Sequence, residues 1–200
     1  MCNNDKYRSI LIYITIICAI LVFAITGFSN PFRKISIISF LALCIHWLIT
    51  LVLWKNKHVI KWLRKFNLFN GPFIHGKWEG EMVSTWIDPK TNKPLPPIPC
   101  QIEIKQKFDR LSVRMKTKQS QSDSVNTCLH YNPENETCTL WYNYQNTAYQ
   151  DNREDNPIHF GSVRLNVIEE GNSIHFEGEY WTSRKTSGSM VITKKIEKKR

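Results

Sequence analysis

A small all-β domain tethered to a membrane by a two-helix hairpin is the fold class this chain predicts, and three observations carry it. Two apolar runs, Ile10 to Phe28 and Ile35 to Trp54, contain no Lys, Arg, Asp or Glu. After Gly71-Pro72 the hydrophobic period changes from that of a helix to that of a strand. From there to the basic C-terminal tail, no helical pattern of useful length interrupts the alternation.

Each apolar run is about 19 or 20 residues long, and at about 1.5 Å of rise per residue each suffices for a hydrocarbon core of roughly 30 Å. Only Ser29 to Lys34 separates them, so the chain is expected to cross a bilayer and return directly. The first run is longer than the apolar stretch of a cleaved signal peptide and no small-x-small site follows it. Residues 1–74 carry nine Lys/Arg and one acid, whereas residues 75–200 carry eighteen basic and sixteen acidic residues. The net charge of +10 therefore reflects the flanks of the apolar runs and the tail, not a nucleic-acid-binding face. Basic residues gather before the first run and after the second, which places both termini in the cytoplasm. Lys55 to Asn70 alternates Val59, Ile60, Trp62, Leu63, Phe66 and Leu68 with lysines and Arg64, the pattern of an amphipathic juxtamembrane segment. The expected organisation is a hairpin over 1–54, a linker over 55–71 and a cytoplasmic domain over 72–200.

That domain reads as eight strands. Gly76 to Ser84 sets Trp78, Gly80 and Met82 against Lys77, Glu79 and Glu81. A Pro-rich loop over Asp88 to Pro99 leads to Gln101–Phe108, with Ile102 and Ile104 on one face. Leu111–Thr117 carries Leu111, Val113 and Met115; Ser122–Tyr131 carries Val125, Thr127 and Leu129. Thr137–Thr147 turns Leu140, Tyr142 and Tyr144 to the face opposite Trp141 and Asn143. His159–Glu169, Ser173–Thr182 and Gly188–Ile196 complete the set. Short turns and one apolar face per strand favour a closed antiparallel up-and-down barrel, with a two-sheet sandwich as the alternative.

No catalytic constellation and no metal-ligand spacing is present, and the six cysteines contain no C-x-x-C pair. The Glu79/Glu81 and Glu177/Glu179 pairs fall on the outward strand face, where solvation explains them. The chain is therefore read as a non-enzyme without a metal or resident cofactor. The inner face offers more. Continuing the alternation from Tyr180 puts Thr182, Arg184 and Thr186 at a barrel mouth, with Trp78 at the opening of the first strand and Tyr142 and Tyr144 inward. Aromatic faces stack nucleobases, and an Arg with hydroxyls holds phosphate; equally, such aromatics fill a core with their polar tips at the rim.

Two short motifs behind a two-helix anchor, Gly76-Lys77-Trp78-Glu79-Gly80 and Gly178-Glu179-Tyr180-Trp181-Thr182-Ser183-Arg184-Lys185-Thr186-Ser187-Gly188, resemble those of a bacterial effector family. It comprises the two-transmembrane, β-strand-rich effectors of cyclic-oligonucleotide-based anti-phage signalling (CBASS), encoded beside a cyclic-nucleotide synthase. The resemblance implies a minimal lipocalin-like barrel that binds a cyclic dinucleotide made by a partner nucleotidyltransferase. It implies self-association in the inner membrane and loss of membrane integrity that kills the infected cell. It further implies ligand contacts at Trp78, Tyr180, Thr182, Arg184 and Thr186. Two other readings stay open: a tethered carrier of an apolar ligand, and an interaction scaffold.

Overall fold

The computed structural model describes residues 4–26, 31–51, 71–89, 91–107, 110–132, 134–154, 156–171 and 173–196. The expected juxtamembrane segment, apart from Gly71, and the end of the basic tail lie outside the described residues. The chain divides into two compact units, a helical one and a β one.

The helical unit contains α1 (Asn4–Thr26) and α2 (Pro31–Leu51). Pro31 suits the start of α2, since its missing N–H would have no intrahelical partner there. Cys18 and Val22 of α1 bury against Ile38 of α2, flanked by Ile14 and Ala19. Around that seam the apolar surface is bare: Ile12, Ile16, Ile20, Phe40, Leu43 and Trp47 are all exposed. Among the described residues, no helix is long and apolar enough to cross a membrane.

The β unit is a closed, fully antiparallel barrel. Its strands are β1 (Gly76–Ser84), β4 (Ile98–Gln106), β5 (Leu111–Lys116), β6 (Ser120–Asn132), β7 (Thr137–Ala148), β8 (His159–Glu170), β9 (Ser173–Thr182) and β10 (Ser187–Ile196). The loop between β1 and β4 holds a two-stranded excursion, β2 (Ile87–Asp88) and β3 (Lys93–Pro94). Each strand pairs with its sequence neighbour, and β1 closes the ring by pairing with both β4 and β10. Closure excludes the sandwich.

Alternation sends Trp78, Ile102, Ile104, Leu140, Leu165, Phe176, Met190 and Ile192 inward, each 2% exposed or less. Gly80 and Gly178 lie where neighbouring backbones press in. A Cβ at Gly80 would stand 2.1 Å from the Val191 carbonyl oxygen, and one at Gly178 2.0 Å from that of Arg164. Among the described residues the pairing is irregular in two places, and one is between Glu79 and Gly80, where β1 pairs with β10. β6 carries a bulge between Ser124 and Asn126. The extra residue flips the phase, so Ser120 and Ser122 are buried, Thr127 and Leu129 continue the inner face, and Val125 is 69% exposed. The expectation that Val125 points inward with Thr127 and Leu129 is corrected by this bulge.

The two ends of the barrel differ. At one end the chain enters through residues 71–75, which run across the opening from the β6–β7 turn to β4. Gly71 takes a φ of +109°, and a Cβ there would stand 3.7 to 3.8 Å from Leu129, Tyr131 and Cys138. Ile74 is fully buried. Its N–H donates to Gln106 Oε1 at 2.7 Å, and its carbonyl accepts from the Trp78 indole N–H at 3.0 Å. The Gln106 N–H in turn donates to His75 Nδ1 at 3.2 Å. Residues 71–75 therefore seal this end. The opposite end carries the β2–β3 excursion, the β5–β6 turn, the β7–β8 loop and the β9–β10 hairpin.

The seal is testable in the full chain in detergent. Gln106→Leu leaves the buried Ile74 N–H without its acceptor, at a cost of about 1–3 kcal/mol; the thermal midpoint is expected to fall, and an unchanged midpoint would show that Gln106 does not hold the lead-in. His75 adds a pH dependence. Burial first, then Lys195, hold its pKa below the ordinary 6.5, against the opposing pull of Glu103. As pH falls the unfolded chain takes up the proton first, so stability is full above pH 6.5 and is lost as pH drops from 6.5 through the lower folded value. A His75→Gln variant should flatten that slope in thermal melts between neutral and mildly acidic pH.

Candidate ligand-binding site

The unsealed end brings together side chains from β6, β7 and β9. Tyr142 and Tyr144 follow one another on the inner face of β7, their ring centroids 6.2 Å apart. Register carries them across β8 to β9: Tyr142 pairs with Val163 and that with Tyr180, while Tyr144 pairs with Gly161 and that with Thr182. Two glycines make the space for these rings. A Cβ at Gly161 would stand 2.4 Å from the Tyr144 hydroxyl, and one at Gly188 would stand 2.6 Å from the Tyr180 ring. Burial, then the neighbouring Tyr180, pushes the Tyr144 pKa up to about 12. Burial, then Tyr144 and Cys100, raises that of Tyr142 as well. Both phenols stay protonated at neutral pH and can donate hydrogen bonds. Burial, then Glu81, pushes the Cys100 thiol up to about 12, so it is no thiolate nucleophile.

The β9–β10 hairpin forms one lip of this end. Lys185 takes a positive φ of 60°, and the Thr182 hydroxyl organises the turn. Its oxygen accepts the N–H groups of Arg184 at 3.2 Å and Thr186 at 3.3 Å, and the Thr182 and Thr186 hydroxyls share a 2.7 Å hydrogen bond. These hydroxyls are committed to shaping the hairpin. The lip is tied to the β7–β8 side by Ser183 N–H to the Phe160 carbonyl at 2.8 Å. Arg184, at the tip, is exposed and donates from Nη1 to Asn156 Oδ1 at 2.7 Å.

Of the residues singled out from sequence, Tyr144, Tyr180, Thr182, Arg184 and Thr186 lie toward the unsealed end, and Tyr142 sits deeper, midway along β7. Trp78 does not join them. It lies six residues along β1 from Ser84, about 20 Å at the usual strand rise, and it belongs to the seal. It is 1% exposed, packs edge-on to Phe176 at 4.9 Å, gives its N–H to Ile74, and lies under the Lys195 ammonium at 4.8 Å. Arg114 faces outward, as alternation requires, and pairs with Asp123 beside a groove of about 130 Å³ on the outer wall of β4, β5 and β6.

Sequence reasoning missed the polar part of the interior. Ser120, Ser122 and Asn146 are all buried on the inner faces of β6 and β7, and Ser122 and Asn146 are direct cross-strand partners. Asn146 Nδ2 donates to Ser120 Oγ at 3.1 Å. The Asn146 Oδ1, the Ser122 hydroxyl and the Tyr142 hydroxyl are buried with no hydrogen-bond partner. Native interiors rarely tolerate such groups, because each costs the desolvation of a polar atom. Three of them lie on two adjacent strands, β6 and β7. The signal was present as Ser120-x-Ser122-x-Ser124, a hydroxyl at every second position, but the bulge hides its phase.

The family described as "Cap15, cyclic dinucleotide receptor domain" matches residues 69–194. The chain belongs to this family. The matched span takes in the lead-in and nearly the whole barrel, with both motifs, Gly76–Gly80 and Gly178–Gly188, and leaves out the two helices. The resemblance drawn from those motifs is borne out. The chain is also 28% identical over 144 residues to CD-NTase-associated protein 15 of Yersinia aleksiciae. That match covers 71% of this chain and 62% of the relative, so the chain spans less than two thirds of the relative's length.

Proposed function

We propose that the barrel binds a cyclic dinucleotide through its unsealed end and acts as the sensor of a CBASS effector. The observation that carries this reading is the buried, unpartnered polar set of Ser122, Tyr142 and Asn146 in a domain of a cyclic dinucleotide receptor family. Tyr142, Tyr144 and Tyr180 supply aromatic surface for the bases, and Arg184, with Thr182 and Thr186 fixing its hairpin, meets the phosphates. Trp78 contributes by holding the lead-in to the barrel. The ligand comes from a partner nucleotidyltransferase.

The helical pair is the output. Its two charge-free runs and its bare apolar surface fit a bacterial inner membrane better than water, with the barrel and both termini on the cytoplasmic side. Ligand-dependent contact between barrels draws the hairpins together, and their assembly disrupts the membrane and kills the infected cell. A ligand drives such a change only through its differential affinity for the two states. A carrier of apolar molecules is disfavoured, because an apolar guest would leave all three buried polar atoms unpaired.

Calorimetry of the full chain in detergent tests the reading, with cyclic dinucleotides and a fatty acid as titrants. Saturable binding of a cyclic dinucleotide alone is expected. Loss of a charge-assisted contact in Arg184→Ala should weaken it by about tenfold or more. Fatty-acid binding without nucleotide binding would overturn the proposal, and particle size unchanged at saturation would remove the assembly step.

A further inference from the structure

We infer that the ligand enters bases first: a neutral base edge is read by the Ser122–Asn146 pair inside the barrel, while the phosphates stay at the rim. The inference rests on the binding function proposed above and assigns an orientation and a specificity site within it. The buried polar residues of the barrel are Ser84, Gln106, Ser120, Ser122 and Asn146, all uncharged. A phosphate carried to their depth would lose its hydration with no cation to offset the loss, which is prohibitive. The exposed cations Arg184 and Lys185 stand instead on the hairpin at the rim.

The hydrogen-bond inventory points the same way. Asn146 gives its amide N–H to Ser120, so the group it presents is the acceptor Oδ1. An acceptor repels a phosphate oxygen and calls for a donor, which nucleobases offer as ring N–H or exocyclic amine. Its cross-strand partner Ser122 presents a hydroxyl that donates or accepts. Acceptor beside hydroxyl complements the paired donor and acceptor atoms on a base edge. Ser120 is a positioning residue, holding the Asn146 amide in that sense.

The test compares affinities of the full chain, in detergent, for the cyclic dinucleotides of adenine, guanine and uracil at two salt concentrations. Wild type should discriminate among the three. Asn146→Leu should cut the ratio between the tightest and weakest by about tenfold or more, leave the salt dependence as in wild type, and keep or raise the thermal midpoint, since an unpaired buried acceptor is gone. Ser122→Ala, a smaller change, should reduce the ratio in the same direction if the leucine variant does not fold. Arg184→Ala should instead weaken all three alike and flatten the salt dependence. Equal wild-type affinities, or an equal loss for all three in Asn146→Leu, overturns the inference while leaving the binding function intact. No binding of any of the three by wild type overturns both.

Discussion

Closure of the sheet is the constraint on which the rest depends. Because β1 hydrogen-bonds to β4 on one side and β10 on the other, no strand edge is left and the chain acquires one enclosed interior. Every second residue of every strand must then face that interior, at a gain of about 1.5–3 kcal/mol for each large apolar side chain buried. Closing so small a ring also forces backbones together, which is why Gly80 and Gly178 have no room for a Cβ. In such an interior a polar side chain is conspicuous. Five of its buried residues are polar: Gln106 is satisfied within the seal, and Ser84 and Ser120 have partners at the other end, whereas Ser122 and Asn146 there are left with unpaired atoms.

That division makes the barrel a cup rather than a tube. The lead-in from the helical unit is built into its base, through Ile74, Gln106 and Trp78. The other end carries the phenol of Tyr144 and is rimmed by a hairpin whose shape depends on one threonine hydroxyl. Apolar packing holds the barrel together, and its unmet hydrogen-bonding capacity lies on Ser122, Tyr142 and Asn146 of two adjacent strands.

Much of this was legible in the residues. The spans of β1 and β9 match expectation to the residue, because alternation there is strict and the turns are marked. The inward placement of Tyr142, Tyr144 and Tyr180 followed from the same alternation. Three features were not legible. The β6 bulge adds a residue within an otherwise regular strand, and nothing in the run from Ser122 to Tyr131 announces it. The lead-in was read only as a break at Gly71-Pro72, since its role depends on contacts with β4 and β6 far away in sequence. Trp78 was placed at a mouth because its end of β1 is indeed an opening in sequence terms; only the tertiary fold shows that the chain closes that opening with its own preceding residues. Asn146 escaped notice because one polar residue on an inward face looks like noise until its amide is found oriented by Ser120.

The most direct measurement is the structure of the full chain with a bound cyclic dinucleotide, by crystallography or electron microscopy. Ligand is expected inside the unsealed end, with a base within hydrogen-bonding distance of Asn146 Oδ1 and Ser122 Oγ, the phosphates beside Arg184, and residues 71–75 still seated across the base. Ligand on the outer wall beside Arg114 and Asp123, with the interior unchanged, would contradict it.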